Sequence, residues 1–343
     1  VSALERIGRF SPKEAAELVR DIIVPGEPWG YRNKVELVFK RDGHKTLVGM
    51  HGTDGQSIVR IKDCPLLDKT YGRTVDAVSG ALSYLAGSHG LELERIGIRA
   101  SRRTRDVEMA LWTAPGDFPR AQVARVLGDA VKATSIVRVM TKGPQKARRI
   151  VGVERLSGAG SWSELIGDEH MRVSAPSFFQ VNTKGAEKLV ELVLSALDVS
   201  DSDEAMDLYC GAGTFTLPLA RRAGFVSAVE SYGPAIRDLR RNLENAALEN
   251  VDAIGGDAGR SFPDTDADVI VVDPPRAGLA PEVIDRLSKQ PARAIAYVSC
   301  DPATLARDLR RFVDVGTFKP VHLTPVDLFP QTFHVETVTL ISR

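Results

Sequence analysis

Three side chains stand out for the chemistry they could do: a thiol, Cys300, and two carboxylates, Asp273 and Glu336. Each falls beside an apolar, β-prone run. Cys300 closes AIAYVSC, and the residues after it carry helix-start chemistry: Asp301 can cap, and Pro302 suits the first helical position. The partial positive charge of a helix N-terminus favours a thiolate, and the Asp301 carboxylate opposes it. A thiolate is a nucleophile, and a positioned carboxylate is a general base. A small Cys also suits a plain strand core, so position alone leaves both readings open. Asp273 opens Asp273-Pro274-Pro275-Arg276, where two prolines fix the backbone just past a strand and Arg276 could contact phosphate. His334 and Glu336 lie at the turn between the last two strand patterns.

The elements that must position these groups form a regular strand–helix alternation in the C-terminal half. Residues 204–216, EAMDLYCGAGTFT, read as a strand, a Gly-rich turn and a helix, with glycines such as Gly211 letting the backbone pass close to a ligand. Glu230 ends the next strand, where a carboxylate can bind ribose hydroxyls, and Asp257 ends a third. Further strands are expected at 269–273, 294–300, 321–328 and 335–341. Ligands of open α/β sheets bind at such strand tips. Thr216 stands where a dinucleotide fingerprint has its third glycine, which argues against a nicotinamide enzyme. Before this half, APSFFQVN sets Gln180 and Asn182 in an apolar stretch, with Phe178 and Phe179 expected in the core, and 183–197 is an amphipathic helix.

The first half reads as α+β. Residues 2–23 have a helical pattern, broken by Pro25, Gly26 and Pro28. A strand at 29–40 begins with interleaved aromatics and cations, Trp29, Tyr31, Arg32 and Lys34, which could stack on bases and hold phosphate. A turn at 42–44, strands at 46–51 and 56–63, a helix at 66–87, a hairpin at 96–112, a helix at 119–133 and a strand at 137–140 follow. Two basic clusters, around Arg102 and Arg103 and around Lys146 and Arg148, are candidate RNA phosphate contacts; solvated loop charge is the alternative. The domain boundary is expected near His170, giving residues 1–170 and 171–343.

With 343 residues, 43% hydrophobic and 26% charged, the chain has the profile of a globular protein of two domains. The formal net charge is zero, which argues against a strongly basic nucleic-acid binder, but residues 1–170 carry about +6 and residues 171–343 about −6. Three scattered cysteines form no disulfide framework, and no membrane span or leader is evident, so a monomer in a reducing cytoplasm is expected.

Five motifs, FFQVN, DLYCGAGTF, DPPRAG, SCDPATLARDL and DLFPQTFHVE, together resemble the S-adenosylmethionine-dependent RNA 5-methyluridine methyltransferases, and upstream GYRNKVELVF and DCPLL extend the resemblance over nearly the whole chain. It implies an α/β fold: a Rossmann-like class I methyltransferase domain at the C-terminus and an α+β RNA-facing domain before it. It also implies S-adenosyl-L-methionine as cofactor, with Gln180, Tyr209, Gly211, Thr214, Glu230, Asp257 and Asp273 as its contacts. Thr214 stands where many members have Asn. Cys300 corresponds to the nucleophile and Glu336 to the general base, with Asp273 between cofactor and substrate. RNA contacts are expected from Tyr31, Arg32, Lys34, Arg102, Arg103, Lys146, Arg148 and Arg276.

Many ribosomal-RNA members begin with a β-barrel and hold an iron–sulfur cluster on four cysteines. This chain shows neither the barrel nor the first three cysteines, and one thiolate cannot hold a cluster, so no cluster and no metal are expected in it. Cys64, in DCPLL, resembles the fourth ligand and points to ribosomal RNA, 23S, ahead of transfer RNA. The alternatives are a transfer-RNA uridine-C5 enzyme, another methyltransferase on the same sheet, and a non-catalytic cofactor- and RNA-binding module.

Overall fold

The computed structural model describes residues 1–42, 45–144 and 148–343. Lys146 and most of the turn expected at 42–44 lie outside the described residues. Contacts gather the chain into two compact units. The larger holds Val1–Glu27, Ile166–Met171 and Ser177–Arg343, and the smaller holds Pro28–Leu165 and Arg172–Pro176.

A single cut at residue 170 therefore differs from the observed division, because the N-terminal segment packs with the larger unit. The helical pattern of 2–23 is also split into α1 (Ser2–Arg6) and α2 (Pro12–Leu18). The cause is local: Ser11-Pro12-Lys13-Glu14 forms a capping box, the Ser11 N–H donating to the Glu14 carboxylate at 2.9 Å and the Glu14 N–H to the Ser11 hydroxyl at 3.3 Å. Leu4 and Ala15 are buried in one core with Leu309 and Phe312.

In the smaller unit β1 (Lys34–Asp42), β2 (Lys45–His51), β3 (Ile58–Val59), β4 (Arg95–Ala100), β5 (Val107–Thr113), β6 (Ser135–Lys142) and β7 (Arg149–Gly158) form one sheet, ordered β3-β2-β1-β4-β5-β6-β7. Only the β5–β6 pair is parallel. Helices α3 (Thr74–His89) and α4 (Arg120–Val131) join Val35, Leu37, Ile96, Ile98, Met109 and Leu111 in one core. The helix expected from residue 66 starts later, because Asp68 caps a short 3-10 turn at Lys69–Tyr71 instead. Strand β7 was masked in sequence by its alternating exposed positions and by the basic residues at its start.

After β8 (Trp162–Ile166) and β9 (Glu169–Val173), the larger unit builds α5 (Thr183–Leu197), β10 (Glu204–Leu208), α6 (Thr216–Ala220), β11 (Phe225–Glu230), α7 (Gly233–Asn245), β12 (Val251–Gly255), β13 (Val269–Val272), α8 (Pro281–Leu287), β14 (Ala294–Ser299), α9 (Pro302–Val315), β15 (Lys319–Val326) and β16 (Glu336–Ser342). The sheet order is β12-β11-β10-β13-β14-β16-β15, parallel from β12 to β14 and antiparallel beyond. This is a Rossmann-like sheet. Strands β13 and β14 are buried along their whole length, as apolar runs covered on both faces must be. The order reverses between β10 and β13, so the crevice that receives ligands in such sheets opens between the segments after these two strands.

Candidate active site

The β10 tip turns sharply. Tyr209 takes φ +66, Gly211 +58 and Gly213 +101, while the N–H groups of Tyr209 and Cys210 both reach the Val229 carbonyl. At φ +101 Gly213 takes a backbone that other residues rarely adopt, and a Cβ there would also press within 2.7 Å of the Leu217 and Leu239 side-chain ends. A Cβ on Gly211 would meet nothing within 4 Å, so the backbone at that point is open to a ligand. Glu230, ending β11, closes the turn: its carboxylate accepts from the Gly211 N–H at 3.0 Å and the Tyr232 N–H at 2.5 Å. A carboxylate has about four lone-pair sites, so acceptor capacity remains for ribose hydroxyls. Asp257 lies two residues past β12 and accepts from the Gly259 N–H at 3.0 Å. Thr214 is half-buried in the same turn.

Asp273 follows β13, its N–H bonded to the Leu208 carbonyl at 3.2 Å. Burial pushes its carboxyl well above the usual range, and the negative charges of Glu336 and Glu230 add to the shift. Glu336 is 4% exposed, and burial raises its carboxyl to about 7, with the Arg276 guanidinium acting in the opposite direction. A site with several carboxyl groups in one electrostatic field suits a ligand bearing positive charge, such as a sulfonium with an α-amino group.

Cys300 is half-buried immediately after β14. Its thiol is raised by burial first and then by Glu336 and Asp273, whereas the charge and hydrogen bonding of Arg276 lower it. The β14–β16 register ends with Ser299 opposite Thr337, the residues that precede Cys300 and follow Glu336 in the chain. Arg276 also meets the His334 ring, Nη2 lying 3.1 Å from Nδ1. Asp301 caps α9 as expected, accepting from the Ala303 and Thr304 N–H groups at 2.9 Å.

Sequence reasoning missed the group that fixes this arrangement. Asp308, fully buried on α9, accepts from the Leu279 N–H at 2.8 Å and the Tyr297 hydroxyl at 2.9 Å. Arg307 beside it donates to the Ala277 carbonyl at 2.8 Å. The loop after Asp273 is thus tied to both the strand and the helix that flank Cys300. A signal existed: Asp308 interrupts the apolar set Leu305, Leu309 and Phe312 on one helix face. Asp207 was missed as well. It is fully buried, accepts from the Thr216 hydroxyl at 2.6 Å, and burial raises it to about 7.

Gln180 and Asn182 are buried, and the Asn182 amide donates to the Leu328 carbonyl at 3.0 Å. Phe179 is buried, but Phe178, expected beside it in the core, is 69% exposed, in an irregular segment between β9 and α5 where no strand or helix period fixes the facing of a side chain.

In the smaller unit, Arg32 lies over Tyr31, 5.9 Å from the ring centroid, and Lys34 pairs with Glu36 at 2.8 Å. Arg103 donates to the Leu165 carbonyl at 2.8 Å, Arg148 pairs with Glu94, and Arg102 is exposed. Cys64 is buried, its N–H donating to the Asp63 carboxylate at 2.8 Å. No group of three or more His, Cys, Asp or Glu that could hold a metal ion occurs among the described residues. No described helix is long and apolar enough to cross a membrane.

The sheet order and the turn at its centre are those of an S-adenosylmethionine-dependent methyltransferase, and comparison with known proteins makes its substrate class RNA. A family model described as tRNA (Uracil-5-)-methyltransferase matches residues 166–260 and 258–343. A Gloeobacter violaceus protein named as an RNA methyltransferase is 34% identical over 355 residues, covering 99% of this chain and 76% of its own. One from Clostridium tetani is 31% identical over 339 residues, covering 94% and 73%. The crystal structure of Pyrococcus abyssi tRNA (uracil-54, C5)-methyltransferase in complex with S-adenosyl-L-homocysteine is similar at a TM-score of 0.78 and 26% identity, covering 99% of this chain and 81% of that one. The chain belongs to the RNA uracil-5-methyltransferase family.

Proposed function

We propose that the protein methylates C5 of a uridine in RNA, with 23S ribosomal RNA as substrate, Cys300 as nucleophile and Glu336 as general base. The observation that supports this reading is that Cys300 and Glu336 lie at the paired ends of β14 and β16, with the charges of Glu336 and Arg276 acting on the thiol and that of Arg276 acting on the carboxyl.

C5 of uracil is a weak nucleophile. Addition of the Cys300 thiolate to C6 forms an S–C6 bond and moves the C5–C6 π electrons toward O4, giving an enolate. When bound, S-adenosylmethionine would supply the methyl group for C5, the S–CH3 bond breaking as the sulfonium becomes the neutral thioether of S-adenosylhomocysteine. The Glu336 carboxylate removes the C5 proton, and those electrons restore the C5–C6 double bond as the Cys300 thiolate leaves. Arg276 favours the charged forms of both groups, and it also serves in RNA contact. Asp273 orients cofactor and base. Gln180, Tyr209, Gly211, Thr214, Glu230 and Asp257 hold the cofactor around the turn. The target base leaves its stack to be reached. Tyr31, Arg32, Lys34, Arg102, Arg103, Lys146 and Arg148 of the smaller unit contact the strand.

DCPLL supports ribosomal RNA. A second reading, transfer RNA, is favoured by the substrate of the Pyrococcus abyssi enzyme. Purified protein given S-adenosylmethionine and separate ribosomal and transfer RNA fractions should yield 5-methyluridine by nucleoside mass spectrometry, and Cys300→Ala should yield none. Methylation of uridine C5 by Cys300→Ala would overturn the nucleophile assignment. Product in the transfer-RNA fraction alone would overturn the ribosomal one.

A further inference from the structure

Among the described residues, the two most exposed large apolar side chains are Phe333, at 90%, and Phe178, at 69%. Both belong to segments that lead into the site. Phe178 precedes Gln180 and Asn182, and Asn182 is bonded to Leu328, from which the chain enters the turn carrying Phe333. Phe333 is three residues ahead of Glu336.

The turn that carries Phe333 is held on both sides. The Thr332 N–H and hydroxyl both donate to the Phe329 carbonyl, at 3.1 and 2.8 Å, and the His334 N–H donates to the Thr332 hydroxyl at 3.2 Å. The Phe333 ring lies 4.3 Å from the His334 ring, centroid to centroid, and the edge of Phe329 approaches His334 at 6.2 Å. His334 in turn meets Arg276, whose charge and hydrogen bonding act on Cys300. A line of contacts therefore runs from a bare aromatic face to Arg276, whose charge acts on the proposed nucleophile. Water gains nothing from that face, whereas a nucleobase stacks on any aromatic ring whatever its sequence.

We propose that Phe333 is an RNA-binding residue that stacks on a base next to the methylated uridine and holds the strand while the target base is in the site. The inference rests on the reading of Cys300 and Glu336 as the reacting pair. With the ring exposed, Phe333→Ala should fold and melt as the parent does.

Once fragment mass spectrometry of the methylated RNA has located the uridine, the probe is an RNA oligonucleotide spanning it, with 2-aminopurine placed in turn at each flanking position. The parent protein should quench one of the two positions, and Phe333→Ala should restore its emission. Base–aromatic stacking predicts a rise of about tenfold or more in KM for this RNA, larger than any change in kcat, with cofactor affinity retained. Phe333→Trp should recover both quenching and KM. Unchanged quenching and KM in Phe333→Ala would overturn the proposal and would mean that the ring faces something other than RNA. That result is distinct from methylation by Cys300→Ala, which would overturn the assignment of the site itself.

Discussion

Ser299 pairs with Thr337 at the end of the β14–β16 ladder, and Cys300 follows the one as Glu336 precedes the other. The two groups come from the ends of adjacent elements separated in sequence by α9 and β15, and the pairing of β14 with β16 brings those ends together. Addition at C6 and proton removal at C5 act on adjacent atoms of one ring, so neighbouring strand ends suit the two tasks.

Glu336→Gln should separate those tasks. Thiolate addition and methyl transfer survive, but the C5 proton stays. Turnover should fall by about 10²–10⁴, and a methylated protein–RNA adduct that survives denaturation should accumulate on gels and in mass spectra.

The pH profile should report Arg276. Glu336 acts ionised, so kcat/KM should rise with pH through about 7. The Cys300 thiol is also held up by burial, which extends the rise to higher pH. The Arg276 charge lowers both groups, so Arg276→Met should move the rising limb to more alkaline pH. An unshifted limb would remove Arg276 from this role.

Asp207 should make the protein less stable as pH rises. Its folded pKa, about 7, lies above the ordinary carboxyl value of 3.8, so the folded state binds the extra proton between the two. Stability from this group is complete below about pH 4 and is lost as pH climbs to about 7. Asp207→Asn should therefore be more stable than the parent at pH 8, by about 1–3 kcal/mol. The difference should vanish toward pH 4 in urea titrations.

Asp308→Ala should leave the Leu279 N–H and the Tyr297 hydroxyl without their buried acceptor and Arg307 without its carboxylate, though still bonded to the Ala277 carbonyl. A loss of about 3 kcal/mol or more is expected in urea unfolding. Tyr297→Phe removes one of those bonds and should cost about 1 kcal/mol.

The larger unit was readable wherever its signals are local. The apolar runs of β13 and β14 mark strands covered on both faces, and α5 falls at the residues its apolar spacing gives. Cys300, Asp273 and Glu336 stand at element ends, where chain punctuation marks them. What stayed hidden depends on contacts between distant residues. No local pattern shows that Asp308 ties the Leu279 loop to α9, or that Arg276 lies by Cys300. The break at Ser11 was a local signal outweighed by helical spacing on both sides, and Phe178 shows that an apolar type does not fix which way a side chain faces. In the smaller unit, charge clusters marked the cations but not the ion pairs that occupy Lys34 and Arg148.

The chain leaves the larger unit after Glu27, touches it again at Ile166–Met171 and rejoins it for good at Ser177, so the smaller unit is an excursion from within it. Before leaving, Arg20 and Ile23 donate N–H groups to the Leu323 and Pro325 carbonyls, at 2.8 and 2.9 Å, along the outer side of β15. A fragment cut to begin at residue 171 would be shorn of this selvage. Its edge strand β15 would present the Leu323 and Pro325 carbonyls unpaired, an invitation to self-association that residues 20–23 foreclose.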